Sequence, residues 1–159
     1  MVNKVGHGFD VHPLVKGRKC IIGAVEIDHT LGLDGHSDAD VLIHAIADAF
    51  LGALGKGDIG HFFSDKDPKN KGLDSRVILM RIQEMMSEMK FKVSNVDATI
   101  ICEQPKISPH IFKMQKNIAS LLKCDSNQIN IKATTTEKLG YLGREEGIAA
   151  HAICLIESL

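Results

Sequence analysis

The stretch KVGHGFDVHPL near the N-terminus constrains the fold more than any other, because apolar residues alternate there with small or polar ones. A two-residue period predicts a β-strand, here over residues 2–12. We take the face that carries Val5 and Phe9 as the core side, so His7 on that face is interpreted as structural. The opposite face carries Gly6, Gly8, Asp10 and His12. Asp10 and His12 are therefore expected side by side.

Length and composition narrow the classes of protein. The chain has 159 residues, so we expect one catalytic domain, residues 1–159, with a sizeable core. A formal net charge of -1 argues against nucleic acid or an anionic membrane as the main partner. No apolar run approaches the roughly 20 residues that span a bilayer. The four cysteines show no CxxC spacing, which suits a reducing cytoplasm better than a disulfide scaffold or a thiolate zinc site.

Further elements follow from periodicity and turn residues. A hairpin is predicted within 19–28, and Ser37 with Asp40 fits a capping box for a helix over 38–54. Residues 55–72 are rich in Gly, Asp and Lys and are expected to form a binding loop. The remaining predictions are a helix over 75–90, a strand over 95–102, a helix from Ser108, and strands over 127–135 and 147–157.

This order predicts an α+β fold in which three helices pack on one face of a mixed four-stranded sheet. The last strand is apolar on both sides, since Ile153 and Leu155 alternate with Ala152 and Cys154. Its second face needs a cover, and self-association is the simplest source.

Asp10, His12 and His44 are candidate metal ligands. Catalytic zinc typically takes three His, Asp or Glu ligands and keeps one position open. His44 lies between Asp40 and Asp48 at helical spacing, so one of these acids could hold its second ring nitrogen. The alternative is an ordinary solvated polar stripe.

Two further segments are candidates for phosphate binding. KATTTEK (132–138) joins three hydroxyls, a carboxylate and two lysines, a set that can grip phosphate and a divalent cation. Lys106 lies in a proline-flanked loop before a helix. Each segment could equally be a solvated loop. His36 is either an ordinary loop histidine or a group aimed at an anion from a helix N-terminus.

Several blocks occur together across nearly the whole chain, in the order GHGFDVH, HSDAD, GDIGHFFSDKDP, QPK and KATTTEKLGYLGREEG. This set closely resembles the 2-C-methyl-D-erythritol 2,4-cyclodiphosphate synthase family of the non-mevalonate isoprenoid pathway. The resemblance implies release of cytidine monophosphate from 4-diphosphocytidyl-2-C-methyl-D-erythritol 2-phosphate, with formation of a cyclic diphosphate. It also implies a homotrimer, formed through the uncovered sheet face, with active sites at subunit interfaces.

The resemblance assigns roles to individual residues. Zinc would be bound by Asp10, His12 and His44, and a second cation, Mg²⁺ or Mn²⁺, by Glu137 through the diphosphate. His36 and Thr135 match positions that stabilise the transition state. Positions matching substrate contacts include Asp10 and His12, together with His36, Ser37, Asp58, Gly60, Phe63, Ser64, Asp65, Lys66, Asp67, Cys102, Lys106, Thr134, Thr135, Thr136, Glu137, Tyr141 and Arg144.

In this reading the nucleophile is the substrate's own 2-phosphate, so the sequence needs no general base or catalytic triad. Tyr141 and Arg144 fall in the segment lining a central trimer channel, where the family can bind an isoprenoid diphosphate. Tyr141 replaces a more usual phenylalanine, and Ala39 replaces a common glycine. The implied location is the bacterial cytoplasm, or a plastid in a plastid-bearing source.

Two rival functions remain at this point. A metal-dependent phosphohydrolase would activate water at the open zinc position, with Asp58 or Asp65 as the base. A non-catalytic trimeric module would bind metal or an isoprenoid diphosphate without turnover.

Overall fold

The computed structural model describes residues 1–159 and contains seven strands and five α-helices. The strands are β1 (Asn3–Val15), β2 (Cys20–Ile22), β3 (Val25–Ile27), β4 (Gly32–Leu33), β5 (Phe91–Ile101), β6 (Ile129–Thr134) and β7 (Gly147–Ser158). The helices are α1 (Val41–Leu54), α2 (Ile59–Phe62), α3 (Ser75–Glu88), α4 (Ile111–Leu122) and α5 (Gly140–Gly143). Single 3₁₀ turns lie at Pro68–Asn70, Ser108–His110 and Ser126–Gln128.

The main sheet has five strands in the order β4-β1-β7-β5-β6. Strands β5 and β6 are parallel and the other neighbours are antiparallel, which confirms a mixed α+β sheet. The predicted count of four strands is wrong. The predicted first strand stops before Pro13, whereas the backbone of β1 stays extended to Val15 and pairs there with β4, with Leu14 opposite Leu33. Proline is compatible with extended backbone near a strand end, so it does not terminate β1.

Strands β2 and β3 form the predicted hairpin as a separate two-stranded sheet. Its two-residue turn, Gly23-Ala24, has φ values of 60° and 57°. Positive φ at both central positions is the geometry of a type I′ turn, which matches the twist of the strands. The fully buried Asp40 carboxylate accepts hydrogen bonds from both turn N–H groups, at 2.9 and 2.7 Å.

Asp40 also begins helix α1, which corrects the predicted cap. The helix starts at Val41 rather than at residue 38, and the Asp40 carboxylate accepts from the N–H of Ile43 at 3.1 Å. Ser37 lies outside the helix, and its hydroxyl accepts from the N–H of Ala39 at 3.3 Å. Burial raises the pKa of Asp40 to about 6, against the hydrogen bonds that favour its ionised form.

The glycine face of β1, and not the face with Val5 and Phe9, contacts the helices. A Cβ at Gly6 would lie 1.8 Å from the carbonyl oxygen of Ala49, and one at Gly8 would lie 1.8 Å from that of Ala45. Only glycine allows the α1 backbone so close to the strand. The expectation that His7 faces the core is therefore wrong, and His7 lies exposed beside His151, with 3.1 Å between ring nitrogens.

The helices cover one face of the main sheet and leave the other bare within the chain. On β7, Ala152, Cys154 and Ile156 are buried, whereas Ile153 between them is 51% exposed. Val5 and Phe9 on the neighbouring strand are 67% and 44% exposed on the same bare face. The three long helices therefore pack as predicted, and an apolar sheet face remains open.

Residues 55–72 are more ordered than the predicted loop, since they contain α2 and the turn at Pro68–Asn70. The four cysteines are free. Each helix is too short or too polar to cross a lipid bilayer.

The close approach of β1 to α1 leads to a stability prediction. In Gly6→Ala the new methyl group overlaps a helix carbonyl, so we expect a loss of about 3 kcal/mol or more in the free energy of unfolding. Urea denaturation of the variant and the parent protein measures this loss.

Gly52→Ala is the matched control, because Gly52 lies within α1 and the nearest atom to an added Cβ is 4.0 Å away. Alanine favours helix over glycine by about 1 kcal/mol, so this variant is expected to gain stability. Equal stabilities for the two variants would contradict the packing described above.

Candidate active site

Strand β1 and helix α1 bring Asp10, His12 and His44 together. Oδ2 of Asp10 lies 2.8 Å from Nε2 of His12 and 3.1 Å from Nδ1 of His44. The two histidine nitrogens are 3.1 Å apart. All three ligand atoms lie within 4.8 Å of one another, a group that can hold a metal ion.

The electrostatics of the triad favour a negative carboxylate and a positive imidazole when no metal is bound. Burial alone would raise the pKa of Asp10, but hydrogen bonds from His12 and His44 outweigh it and lower that pKa. Burial alone would likewise lower the pKa of His12, and the hydrogen bond to Asp10 raises it above its ordinary value. A bound cation would take the place of the proton in this arrangement.

Each histidine is held through its other ring nitrogen. Nδ1 of His12 donates to the carbonyl oxygen of Asp34 at 2.9 Å. Nε2 of His44 donates to the hydroxyl of Ser75 at 2.9 Å, and that fully buried hydroxyl donates in turn to Asp38. These bonds leave His12 Nε2 and His44 Nδ1 facing Asp10, as the atoms that would bind a metal ion in place of a proton.

The acid that supports the second ring nitrogen of His44 is therefore Asp38, through the hydroxyl of Ser75. The prediction that Asp40 or Asp48 has this role is wrong. Asp40 is occupied by the hairpin turn. Asp48 accepts from the N–H of Ile59 at 2.9 Å and so fixes the start of α2, and burial raises its pKa.

The donor set fits a zinc-like cation. One carboxylate and two imidazoles form a typical catalytic zinc set with an open position. Ligand atoms about 2.1 Å from a tetrahedral ion are about 3.4 Å apart. The observed separations of 2.8 to 3.1 Å need to widen by only a few tenths of an ångström.

A cleft of about 340 Å³ opens beside the triad. Five further residues from the sequence-based set line it, namely His36, Ser37, Gly60, Phe63 and Asp65. Asp58, Ser64, Lys66 and Asp67 do not line it. Asp58 is exposed and paired with His61 at 3.3 Å, a hydrogen bond that lowers the pKa of Asp58. His36 lines the cleft and donates from Nε2 to the carbonyl oxygen of Asp67 at 3.3 Å.

The other candidate residues surround a second cleft of about 340 Å³, at the ends of β5 and β6. Cys102, Lys106, Thr134 and Thr135 line this cleft, whereas Thr136 and Glu137 do not. Glu103 joins its two walls, because one carboxylate oxygen accepts from the N–H groups of Thr136 and Lys138 at 3.1 and 3.2 Å. The Cys102 thiol donates to the carbonyl oxygen of Pro105 at 3.4 Å.

The two clefts lie on different parts of the sheet. In the strand register Asp10 is opposite Ala150, which is opposite Ile100, and Ile100 is opposite Ala133. Three inter-strand steps correspond to about 14 Å between the backbones of β1 and β6. One chain therefore does not bring the triad and the Thr134–Thr135 segment into one cleft.

The remaining predicted positions line neither cleft. Tyr141 is 46% exposed on α5, and Arg144 pairs with Glu146 at 2.6 Å. Ala39, at a position where we noted that glycine is common, is buried and has a φ of 59°. That left-handed backbone explains a preference for glycine.

Sequence reasoning missed three residues that shape these clefts. Asp38, Ser75 and Glu103 act through hydrogen bonds to residues between 31 and 37 positions away in the chain. No local pattern reveals such partners. Two of these residues lie at the sequence blocks that carry the family resemblance, since Asp38 is within HSDAD and Glu103 directly precedes QPK.

Known proteins match this chain in sequence and in overall fold. A model of the YgbB family matches residues 3–157. The 2-C-methyl-D-erythritol 2,4-cyclodiphosphate synthase of Geobacter sulfurreducens is 56% identical over 97% of this chain and 98% of its own length. Among solved structures, the bifunctional IspDF of Campylobacter jejuni has a TM-score of 0.95 at 40% identity, over 99% of this chain and 43% of that longer chain.

IspF of Plasmodium falciparum, solved as a CDP complex, has a TM-score of 0.87 at 33% identity, over 98% of this chain and 96% of its own. The family match and the relatives cover almost the whole sequence. The chain belongs to the YgbB family.

Proposed function

We propose that this chain is a 2-C-methyl-D-erythritol 2,4-cyclodiphosphate synthase. It converts 4-diphosphocytidyl-2-C-methyl-D-erythritol 2-phosphate into the cyclic diphosphate and cytidine monophosphate. The observation that carries the proposal is the triad of Asp10, His12 and His44 at the wall of a cleft. The name of the Geobacter sulfurreducens relative and the CDP bound to the Plasmodium falciparum structure support the substrate class.

The metals are part of the proposal. Asp10, His12 and His44 would hold Zn²⁺, and Glu137 would hold Mg²⁺ or Mn²⁺ through the substrate diphosphate. When bound, two divalent cations offset the repulsion between the phosphate groups that must meet. The hydrogen bonds on the far side of each histidine support the zinc assignment.

The protein residues bind and orient a substrate that supplies its own nucleophile. An oxygen of the 2-phosphate forms a bond to the β-phosphorus, and the bond from that phosphorus to the cytidine monophosphate oxygen breaks. Asp58 holds the erythritol hydroxyls, and Ser37, Gly60 and the residues from Phe63 to Asp67 enclose that end. Holding both reacting ends makes the attack intramolecular and well oriented.

The nucleotide end would occupy the second cleft. Cys102, Lys106 and Thr134 to Glu137 contact cytidine and the diphosphate, and His36, Thr135 and Lys106 lie near the charge that develops on the transferred group. The exposed side chain of Lys106 at the rim of that cleft supports its role as an anion contact.

A homotrimer completes the site. The bare apolar sheet face supports self-association, and the distance between the two clefts supports an active site shared between subunits. Tyr141 and Arg144 would line a central channel able to take an isoprenoid diphosphate. The four free cysteines and the bacterial relatives support a cytoplasmic enzyme, and residues 1–159 would form one catalytic domain.

Product analysis tests the function directly. The cytidine substrate is incubated with metal-replete protein, and the phosphorus-containing products are identified by ³¹P NMR. We expect cytidine monophosphate and a cyclic diphosphate in equal amounts. A linear phosphate product would indicate a hydrolase instead, and binding without turnover would indicate a non-catalytic module.

His44→Ala is expected to remove bound zinc and cyclisation while the trimer persists, because the triad loses a ligand that takes no part in the bare sheet face. Metal analysis, the product assay and a sizing measurement check the three outcomes. His29→Ala is a control outside both clefts. A metal-replete, fully active His44→Ala protein would refute the ligand role.

A shared site predicts complementation between inactive subunits. His44→Ala disables the metal half of the site, which is the triad with its cleft. Lys106→Ala weakens the nucleotide half, which is the second cleft. Each variant carries a different affinity tag, and the two are coexpressed and purified over both tags. Every mixed ring then contains one site with two intact halves, so we expect about a third of the parent activity per trimer. No recovery above the separate variants would place each site within one chain.

Metal binding is expected to weaken in acid. His12 binds metal only when neutral, and because its pKa is raised, protons compete with the metal at pH values already above 6.5. The stability of the metal-free protein depends on pH in the opposite direction. The Asp10–His12 ion pair stabilises the fold fully below pH 6.5, and this stabilisation is lost as the pH rises through the pKa of His12 in the folded state. Zinc content after dialysis at graded pH measures the first effect. An unchanged content down to about pH 4 would exclude imidazole ligands.

A further inference from the structure

Arg18 lies in the turn after β1, and its guanidinium binds backbone rather than a carboxylate. Nε donates to the carbonyl oxygen of Leu33 at 3.1 Å, and Nη2 donates to those of Gly35 at 3.3 Å and Ser37 at 2.9 Å. The nearest acid is Asp34, at 3.8 Å, beyond hydrogen-bond distance. The side chain of this half-buried arginine thus binds every second carbonyl oxygen of one short segment, residues 33–37.

The same segment supports both histidines of the triad. The carbonyl oxygen of Asp34 accepts from Nδ1 of His12 at 2.9 Å, and the hydroxyl of Ser37 lies 3.2 Å from Nε2 of His44. Gly35 packs on the His12 ring, where an added Cβ would lie 2.9 Å from Nδ1. His36, between them, lines the cleft.

The segment has few other anchors. Leu33 is the one residue of the segment that belongs to a strand, β4. Outside that strand the backbone of the segment makes two hydrogen bonds to other backbone groups. The N–H of Asp34 donates to the carbonyl oxygen of Pro13 at 3.0 Å, and the carbonyl oxygen of His36 accepts from the N–H of Gly72 at 2.8 Å. Three charge-assisted bonds from one planar group are therefore a large share of what holds the segment.

We propose that Arg18 is a positioning residue of the metal centre, which holds residues 33–37 so that the Asp34 carbonyl and Ser37 orient His12 and His44. The proposal rests on the metal role given to the triad under the proposed function. It does not require the identity of the substrate. A lysine cannot replace the arginine, because one ammonium group cannot reach three carbonyl oxygens with the geometry of a planar fork.

Binding of Co²⁺ alone tests this role without substrate. The metal-free full-length protein is titrated with Co²⁺ against a chelator, and the visible absorption spectrum reports the coordination geometry. In Arg18→Lys and Arg18→Ala we expect 10- to 100-fold weaker binding, the range typical of lost outer contacts, and an altered spectrum. Guanidinium ion, far below denaturing concentration, should restore binding to Arg18→Ala but not to Arg18→Lys.

Lys19→Met is the matched control. Lys19 is the adjacent cation, 70% exposed and paired with Glu26 at 3.2 Å, and its ammonium group makes no hydrogen bond or ion pair with residues 33–37. Its Co²⁺ affinity and spectrum should equal those of the parent protein. If Arg18→Ala does not fold, Arg18→Lys decides the question.

The possible outcomes distinguish the positioning role of Arg18 from the metal role of the triad. Parent-like Co²⁺ affinity and spectra in both Arg18 variants would overturn the positioning role and leave the metal centre standing. Equal losses in Lys19→Met would also overturn it, since any nearby cation would then suffice. A parent protein that binds no Co²⁺ at the triad would overturn the metal centre and the positioning role together.

Discussion

The contact between the glycine face of β1 and the backbone of α1 is the constraint on which the rest of the structure depends. Because Gly6 and Gly8 carry no side chain, the helix lies directly on the strand. Asp10 and His12 continue the same strand face, and His44 directly precedes Ala45, the α1 residue whose carbonyl oxygen lies against Gly8. The approach that buries the helix is therefore also the approach that closes the triad.

A buried polar network accompanies this contact. His44, Ser75 and Asp38 form one chain of hydrogen bonds, and Asp40 joins α1 to the β2–β3 hairpin. No buried side-chain nitrogen or oxygen lacks a partner. Such fully satisfied networks rigidify their surroundings, since each buried group would be costly to leave unpaired. The triad is thus rigidly supported, whereas most of the residues proposed to enclose substrate lie exposed in and around α2.

The sheet separates the two halves of the proposed chemistry. The triad lies on β1 and α1 near one side, and the nucleotide-binding candidates lie at and after the ends of β5 and β6 on the other. The bare face, on the side of the sheet opposite to Asp10 and His12, carries Val5, Phe9 and Ile153. An enzyme built this way gains a complete site only when copies meet, so assembly and activity are linked in the proposed function.

Local pattern predicted much of this protein. The alternation in β1, the hairpin within 19–28 and the apolar stripes of the long helices are short-range features, and the structure contains all of these elements. The shared face of Asp10 and His12 followed from strand geometry alone. The ordered blocks from GHGFDVH to KATTTEKLGYLGREEG indicated the family that the comparisons then showed.

Only the tertiary structure decided which face of β1 is the inner one, how many strands the sheet has, and which residues support the triad of Asp10, His12 and His44 through hydrogen bonds. Apolar character predicted the face with Val5 and Phe9 as the inner one. The glycine face is the inner one instead, because α1 packs with its backbone against the strand and leaves no space for a side chain. Strand β4 and the partners Ser75, Asp38 and Arg18 depend on contacts between residues more than a dozen positions apart. Periodicity records only the near neighbours of a residue, and those distant contacts form only when the whole chain is folded.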